Sequence, residues 1–140
     1  MPRVLAIDFG LKRTGLAVTD TLRIIASALE TVETKSLIEY LKKYVAREHV
    51  DGFVVGLPVN LNGTATDATR HVQAFVLELR KHLPNHWIET VDERFTSTMA
   101  KQTLLDSGAR KMDRRDKGTL DRISATILLQ GWLQQGEKRR

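Results

Sequence analysis

The chain has no cysteine among its 140 residues. Disulfides, thiolate zinc sites and a thiol nucleophile are therefore excluded. With only three prolines and nine glycines, collagen-like and proline-rich low-complexity architectures are excluded too. Long hydrophobic runs are also missing. The longest stretch without Asp, Glu, Lys or Arg is Gly52 to Thr66, interrupted by Pro58, Asn60 and Asn62. A membrane span needs about 20 apolar residues, so none is expected. The amino terminus reaches Asp8 after only four apolar residues, Val4 to Ile7, which does not fit a secretory leader. These absences lead us to expect a cytoplasmic protein.

What is present suffices for a core. Leu, Ile, Val and Phe fill 40 of the 140 positions, well above the roughly 20% below which chains tend to disorder. The length predicts one domain over residues 1–140, with 136–140 a disordered basic tail. Twenty-two basic residues against seventeen acidic ones leave a net charge of +5, which favours a polyanionic partner. Six of the basic residues fall between Arg110 and Arg122, and the chain ends Lys138-Arg139-Arg140.

Periodicity supplies the elements. Val4–Ile7, Leu16–Thr19 and Ile24–Thr31 read as three strands joined by short turns. Ser36–Glu48 places Leu37, Tyr40, Leu41 and Tyr44 at helical spacing. Gly52–Gly56 reads as a strand buried on both faces. A helix from Ala65 to His82 aligns Val72, Phe75, Val76 and Leu79, and Trp87–Val91 forms another strand. Thr96 or Ser97 caps a helix running to Leu105 and closed by Gly108. A basic loop and a last helix, Lys117–Leu133, complete the order βββαβαβαα. The fold class is α/β, with a mixed sheet: one hairpin edge and a parallel remainder.

Three acidic positions stand out. Asp8 closes the first strand, and Asp92-Glu93 closes the strand after Pro84 in the same way. Ligands of open α/β sheets bind outside the carboxyl ends of the parallel strands. On the last helix, Asp121 shares a face with Ser124, Ala125, Leu128 and Trp132. A carboxylate on a packed face needs a partner. Arg94 is one choice, and a divalent cation shared with Asp8 and Asp92 or Glu93 is the other. His49, His71, His82 and His86 show no ligand spacing, so the available donors are hard oxygens suited to Mg²⁺ or Mn²⁺. The Gly-bracketed turn Asp8–Gly15 adds Lys12 and Arg13 for phosphate. The loop Gly56–Thr64 offers amides at a helix N-terminus but lacks the Gly-Lys-Ser/Thr ending of a Walker loop.

Ala6-Ile7-Asp8-Phe9-Gly10 with Arg13-Thr14-Gly15, Val55-Gly56-Leu57-Pro58 with Asn62-Gly63-Thr64, Asp92–Ser97 and Asp121–Ala125 together resemble the YqgF (RuvX-like) family. The likeness is collinear and spans essentially the whole chain. Ser124 departs from it, standing where a small apolar residue is expected. The resemblance implies an RNase H-like fold: a five-stranded mixed sheet flanked by helices. It also implies a metal-binding carboxylate triad of Asp8, Asp121 and one of Asp92 and Glu93, with Glu93 preferred for its reach. Mg²⁺ or Mn²⁺ is the implied cofactor, and nucleic acid the implied partner. Substrate contacts are expected from Lys12, Arg13, Asn62, Arg94, Arg110, Lys111, Arg114 and Arg115.

The expected activity is metal-dependent phosphodiester hydrolysis at the 5′ end of pre-16S rRNA. Resolution of Holliday junctions in DNA recombination is the alternative. A non-catalytic nucleic-acid-binding module is a lesser one, disfavoured because all the acids are present. Asp8-Phe9-Gly10 with Thr14-Gly15 also resembles the first phosphate motif of actin-like ATPases, but their second phosphate loop is lacking. A monomer or weak homodimer is expected, with Arg110–Lys117 mobile until nucleic acid binds.

Overall fold

Leu5 and Ile7 face one side of the first strand, and Val4 and Ala6 face the other. The same alternation sorts most apolar strand residues into two layers, with irregularities where the register shifts in the β1–β4 and β2–β3 pairings. The computed structural model describes residues 2–58, 60, 62–92 and 117–139. The expected helix ending at Leu105, the basic segment from Arg110, and Glu93 and Arg94 lie outside the described residues.

Strands β1 (Arg3–Asp8), β2 (Arg13–Thr19) and β3 (Ala26–Glu33) form consecutive antiparallel pairs. A single 3-10 turn at Thr34–Ser36 leads into α1 (Leu37–Arg47). Then come β4 (Val50–Leu57), α2 (Asp67–His82), β5 (Trp87–Asp92) and α3 (Lys117–Arg139). The sheet order is β3-β2-β1-β4-β5, with β4 parallel to both β1 and β5. This is the expected five-stranded mixed sheet with helices on both faces.

Helices α1 and α2 cover one face. Leu37, Leu41 and Tyr44 of α1 and Val72, Phe75, Val76 and Leu79 of α2 pack on Leu5, Ile7, Leu16, Val18, Phe53 and Val55. Helix α3 covers the other face, where Ala125, Leu128 and Leu129 meet Val4, Ala6, Ala17 and Val54. Small side chains dominate the sheet side of that second layer, so α3 can approach the strands closely.

Most elements differ from expectation by a few residues at their ends, and some of these differences have a local cause. Ile24 and Ile25 precede β3 in an exposed loop, 63% and 60% accessible, where the Asp20 carboxylate accepts both of their amides. That short polar cap, with Arg23 at φ 58°, turns the chain before the strand begins. Helix α2 starts at Asp67 because Thr66 caps it. The Thr66 hydroxyl accepts from the Thr69 amide, and the Thr69 hydroxyl accepts from the Thr66 amide. Helix α3 spans Lys117–Arg139, beyond the expected end at Leu133. Its Gln, Glu and Lys residues are good helix formers and propagate a helix already begun. No helix among the described residues is long and apolar enough to cross a membrane.

Candidate active site

β1 ends on Asp8, whose antiparallel partner on β2 is Gly15. Directly paired residues project to the same face, and the alternation from Val4 and Ala6 makes it the α3 face. Gly15 has no side chain there because Asp121 takes the space. A Cβ at position 15 would lie 2.0 Å from the Asp121 carbonyl oxygen and 2.9 Å from the Asp121 Cβ. Asp121 thus rests on the glycine that flanks Asp8. One carboxylate comes from a strand and the other from a helix 113 residues later, brought to one patch of sheet.

The turn between β1 and β2 is held from beneath. A Cβ on Gly10 would come within 2.2 Å of the Arg13 carbonyl oxygen, so only glycine allows this tight return. Thr34 donates its hydroxyl to the Gly10 carbonyl oxygen, which makes it the acceptor for the Thr14 hydroxyl at 2.9 Å. The Gly10 amide reaches Thr14 Oγ1 at 3.5 Å. Phe9, on the other side of the strand from Asp8, stacks on Phe75 of α2 with ring centroids 4.9 Å apart. Asp8 therefore sits between two anchors.

At the lip of this turn, Leu11 and Lys12 are exposed. Arg13 Nε meets Asp121 Oδ2 at 3.2 Å. The sequence offers Asp121 either Arg94 or a shared divalent cation as its partner and offers Arg13 to phosphate; it does not pair Arg13 with Asp121. A contact between residues 108 positions apart leaves no mark in local spacing. Arg122, part of the Asp121 segment but not singled out as a site residue, reaches Thr31 Oγ1 on β3 at 3.4 Å.

Asp92 ends β5. It pairs with Leu57, while the preceding pair is Val91 with Gly56. Val91 packs on the α3 layer and Leu57 on the opposite layer. By register, Asp92 shares the face of its partner Leu57, the α1–α2 side. Glu93 lies outside the described residues, as do Arg94, Arg110, Lys111, Arg114 and Arg115.

Asn62 is exposed in the loop after β4, which leaves the same sheet edge as Asp8. Its side-chain oxygen accepts from the amide and hydroxyl of Thr64, at 3.1 and 2.7 Å. Asn60 completes this closed turn through Thr64 Oγ1 at 2.9 Å, with Gly63 at φ 86°. The Thr69 amide at the start of α2 is likewise used by the Thr66 cap. The expected anion cradle has spent several of its donors internally.

Asp8 and Asp121 offer only carboxylate oxygens, a donor set that fits Mg²⁺ or Mn²⁺. No group of three or more potential ligands occurs among the described residues.

A five-stranded sheet in this order, with helices on both faces and a carboxylate at the end of its central strand, defines a protein of the RNase H-like class. The structure resembles that of Thermus thermophilus RuvC in complex with a Holliday junction substrate, at a TM-score of 0.62 and 15% identity over 97% of both chains. Residues 2–135 match the family described as RuvX: Holliday junction resolvase, and the chain belongs to that family. It is 49% identical over 134 residues to a Phocaeicola vulgatus protein named as a candidate pre-16S rRNA nuclease, covering 96% of each chain. Proteins of the same name in Christiangramia forsetii and Porphyromonas gingivalis are 50% and 47% identical. These alignments cover 95% and 99% of this chain, and 98% and 100% of those proteins.

Proposed function

We propose that this protein is a divalent-metal-dependent endonuclease that processes the 5′ end of pre-16S rRNA in the cytoplasm. The observation that carries this reading is the placement of Asp8 and Asp121 on one face across Gly15. Carboxylates gathered without a cation repel one another, and a cation site is the simplest chemical use for them. The names borne by relatives of nearly the same length supply the substrate.

Asp8 and Asp121 would hold the ion, with Glu93 as the third carboxylate, since Asp92 belongs to the other face. When bound, Mg²⁺ or Mn²⁺ supplies Lewis acidity at the scissile phosphate. The strand end and the helix hold their carboxylates on rigid elements, so little reorganisation is needed. Lys12 and Arg13, exposed at the lip, attract the flanking phosphates. Arg94, Arg110, Lys111, Arg114 and Arg115 extend that basic surface in this reading, and Asn62 borders it. A cut in one strand requires one site, so a monomer or weak homodimer suffices.

The test is cleavage of end-labelled pre-16S RNA and of a four-way DNA junction side by side, with Mg²⁺, Mn²⁺ or chelator. Metal-dependent cleavage of the RNA, lost in Asp8→Asn and Asp121→Asn proteins that still fold, is the expected result. Paired cuts in the junction with the RNA untouched would assign the family's resolvase activity instead. Retention of cleavage in Asp8→Asn would remove the carboxylate site from the mechanism.

A further inference from the structure

The ion pair between Arg13 and Asp121 sets a cation that cannot deprotonate beside one of the two carboxylates assigned to the metal. A guanidinium and a divalent ion compete for the same oxygens. We infer that Arg13 is a built-in competitor for the cation site: it holds Asp121 while nucleic acid is absent and releases it when a phosphate takes the guanidinium. This inference rests on the proposed metal-dependent reading of the same site.

Three features favour exchange over a permanent salt bridge. The contact runs through a single nitrogen, Nε, at 3.2 Å, so it is not the two-pronged fork that makes Arg–carboxylate pairs strong. The pair also lies open to solvent, with the Arg13 side chain 42% and the Asp121 side chain 28% accessible. Pairs this exposed are worth little and re-form freely. Lastly, Arg13 opens β2 immediately after exposed Leu11 and Lys12, so its side chain swings toward solvent without disturbing the core. The backbone beneath stays fixed by Thr14, Thr34 and Gly10.

The consequence is coupling. A phosphate that draws Arg13 away unmasks Asp121, and a metal ion on Asp121 repels Arg13 toward the phosphate. Each ligand then raises the other's affinity by the same factor. The site fills when substrate is present and stays partly masked when it is not.

Direct titration of Mn²⁺ into the nucleic-acid-free protein, read by the loss of free-ion electron paramagnetic resonance, tests this without any cleavage assay. Arg13→Gln keeps the side chain polar and removes the charge. It should bind Mn²⁺ more tightly than wild type, by up to about fivefold, the factor expected for an exposed pair. Asp8→Asn should bind much more weakly than either. In wild type, Mn²⁺ should selectively broaden the Arg13 Nε–H resonance, and Mg²⁺ should shift it toward the position of a solvated guanidinium. Equal or weaker Mn²⁺ affinity in Arg13→Gln, with binding still dependent on Asp8, would overturn this inference alone. Absence of Asp8-dependent Mn²⁺ binding in wild type would overturn the functional reading and this inference together. Matching thermal melts for wild type and Arg13→Gln would establish that the comparison is between folded proteins.

Discussion

Gly15 and Asp121 occupy one another's space: the helix backbone at 121 fills the volume that any side chain at 15 would need. That makes Gly15 a requirement of the site rather than of the strand. Glycine weakens a strand interior and usually marks close approach of another backbone.

Gly15→Ala should therefore displace the first turn of α3. A Cβ placed 2.0 Å from a carbonyl oxygen cannot be relieved by a side-chain rotation. Overpacking of this kind costs about 1–3 kcal/mol, and cleavage should fall much further because Asp121 moves with the helix. Gly131→Ala is the control. It lies in the same helix with nothing within 4 Å of its would-be Cβ, and it should gain up to about 1 kcal/mol from helix propensity. Urea melts and cleavage rates of the two variants decide the matter.

The layers were legible in the sequence where alternation and burial coincide. Val72, Phe75, Val76 and Leu79 form a stripe on paper, and all four are buried in the structure. Asp8 at the end of an apolar run and Asp121 on the inner face of a helix were readable for the same reason. Asp92 and Glu93 could not be separated by composition, because the face of each depends on register across two strands. Ile24 and Ile25 look like strand residues, but Asp20 binds their amides and holds them in a loop. The Arg13–Asp121 pair was hidden because long-range partners are chosen by packing geometry and not by spacing.

Acid should remove one specific support at the far end of the sheet. Asp51 accepts from the Trp87 indole at 2.9 Å and from Arg23 Nη2 at 2.7 Å. The Trp87 hydrogen bond is the largest cause that holds its carboxyl below the ordinary range; burial opposes it, and the hydrogen bond and charge of Arg23 add to the lowering. A depressed carboxylate stabilises the fold fully above its unfolded pKa of about 3.9. That contribution is lost as pH falls through the folded value. Asp51→Asn should lower the Tm at pH 7, by the equivalent of no more than about 1 kcal/mol since the pair is partly exposed. The two proteins should converge below about pH 4. Calorimetric melts from pH 7 to pH 2 test this, and a Tm difference that persists at pH 2 would count against it.

His86 acts at higher pH. Its Nδ1 is buried with no hydrogen-bond partner among the described residues, and its ring lies 5.5 Å from that of Phe53. Burial is the main cause that lowers its pKa below 6.5, opposed by the charge of Asp51. The folded state therefore resists the proton that the unfolded chain accepts, and stability declines as pH falls below about 6.5. His86→Phe keeps the ring contact and removes both the orphan nitrogen and the titration. Its Tm should vary less than that of wild type between pH 7 and pH 5, and an equal slope in both proteins would refute the assignment.

The chain's two tryptophans provide a probe of α3 docking, because both stand in the same contact. Trp132 of α3 stacks on Trp87 of β5 at 5.6 Å between centroids and donates its indole to Glu89 at 2.8 Å. Trp87 in turn lies over Gly52, where a Cβ would fall 2.1 Å from its ring. The helix that positions Asp121 is thus clamped to the sheet at its far end through an aromatic pair. Trp132→Ala should cost about 2–3 kcal/mol, below the 3–5 kcal/mol of a fully buried tryptophan because Trp132 is only half-buried. Trp132→Phe keeps the stack and loses one hydrogen bond to a charged acceptor, for a cost of about 1.5 kcal/mol. If α3 and the sheet unfold as one unit, tryptophan fluorescence and far-ultraviolet circular dichroism give coincident denaturation curves in wild type. A fluorescence transition at lower denaturant than the dichroism would show instead that α3 leaves the sheet first, taking Asp121 away from Asp8 before the core melts.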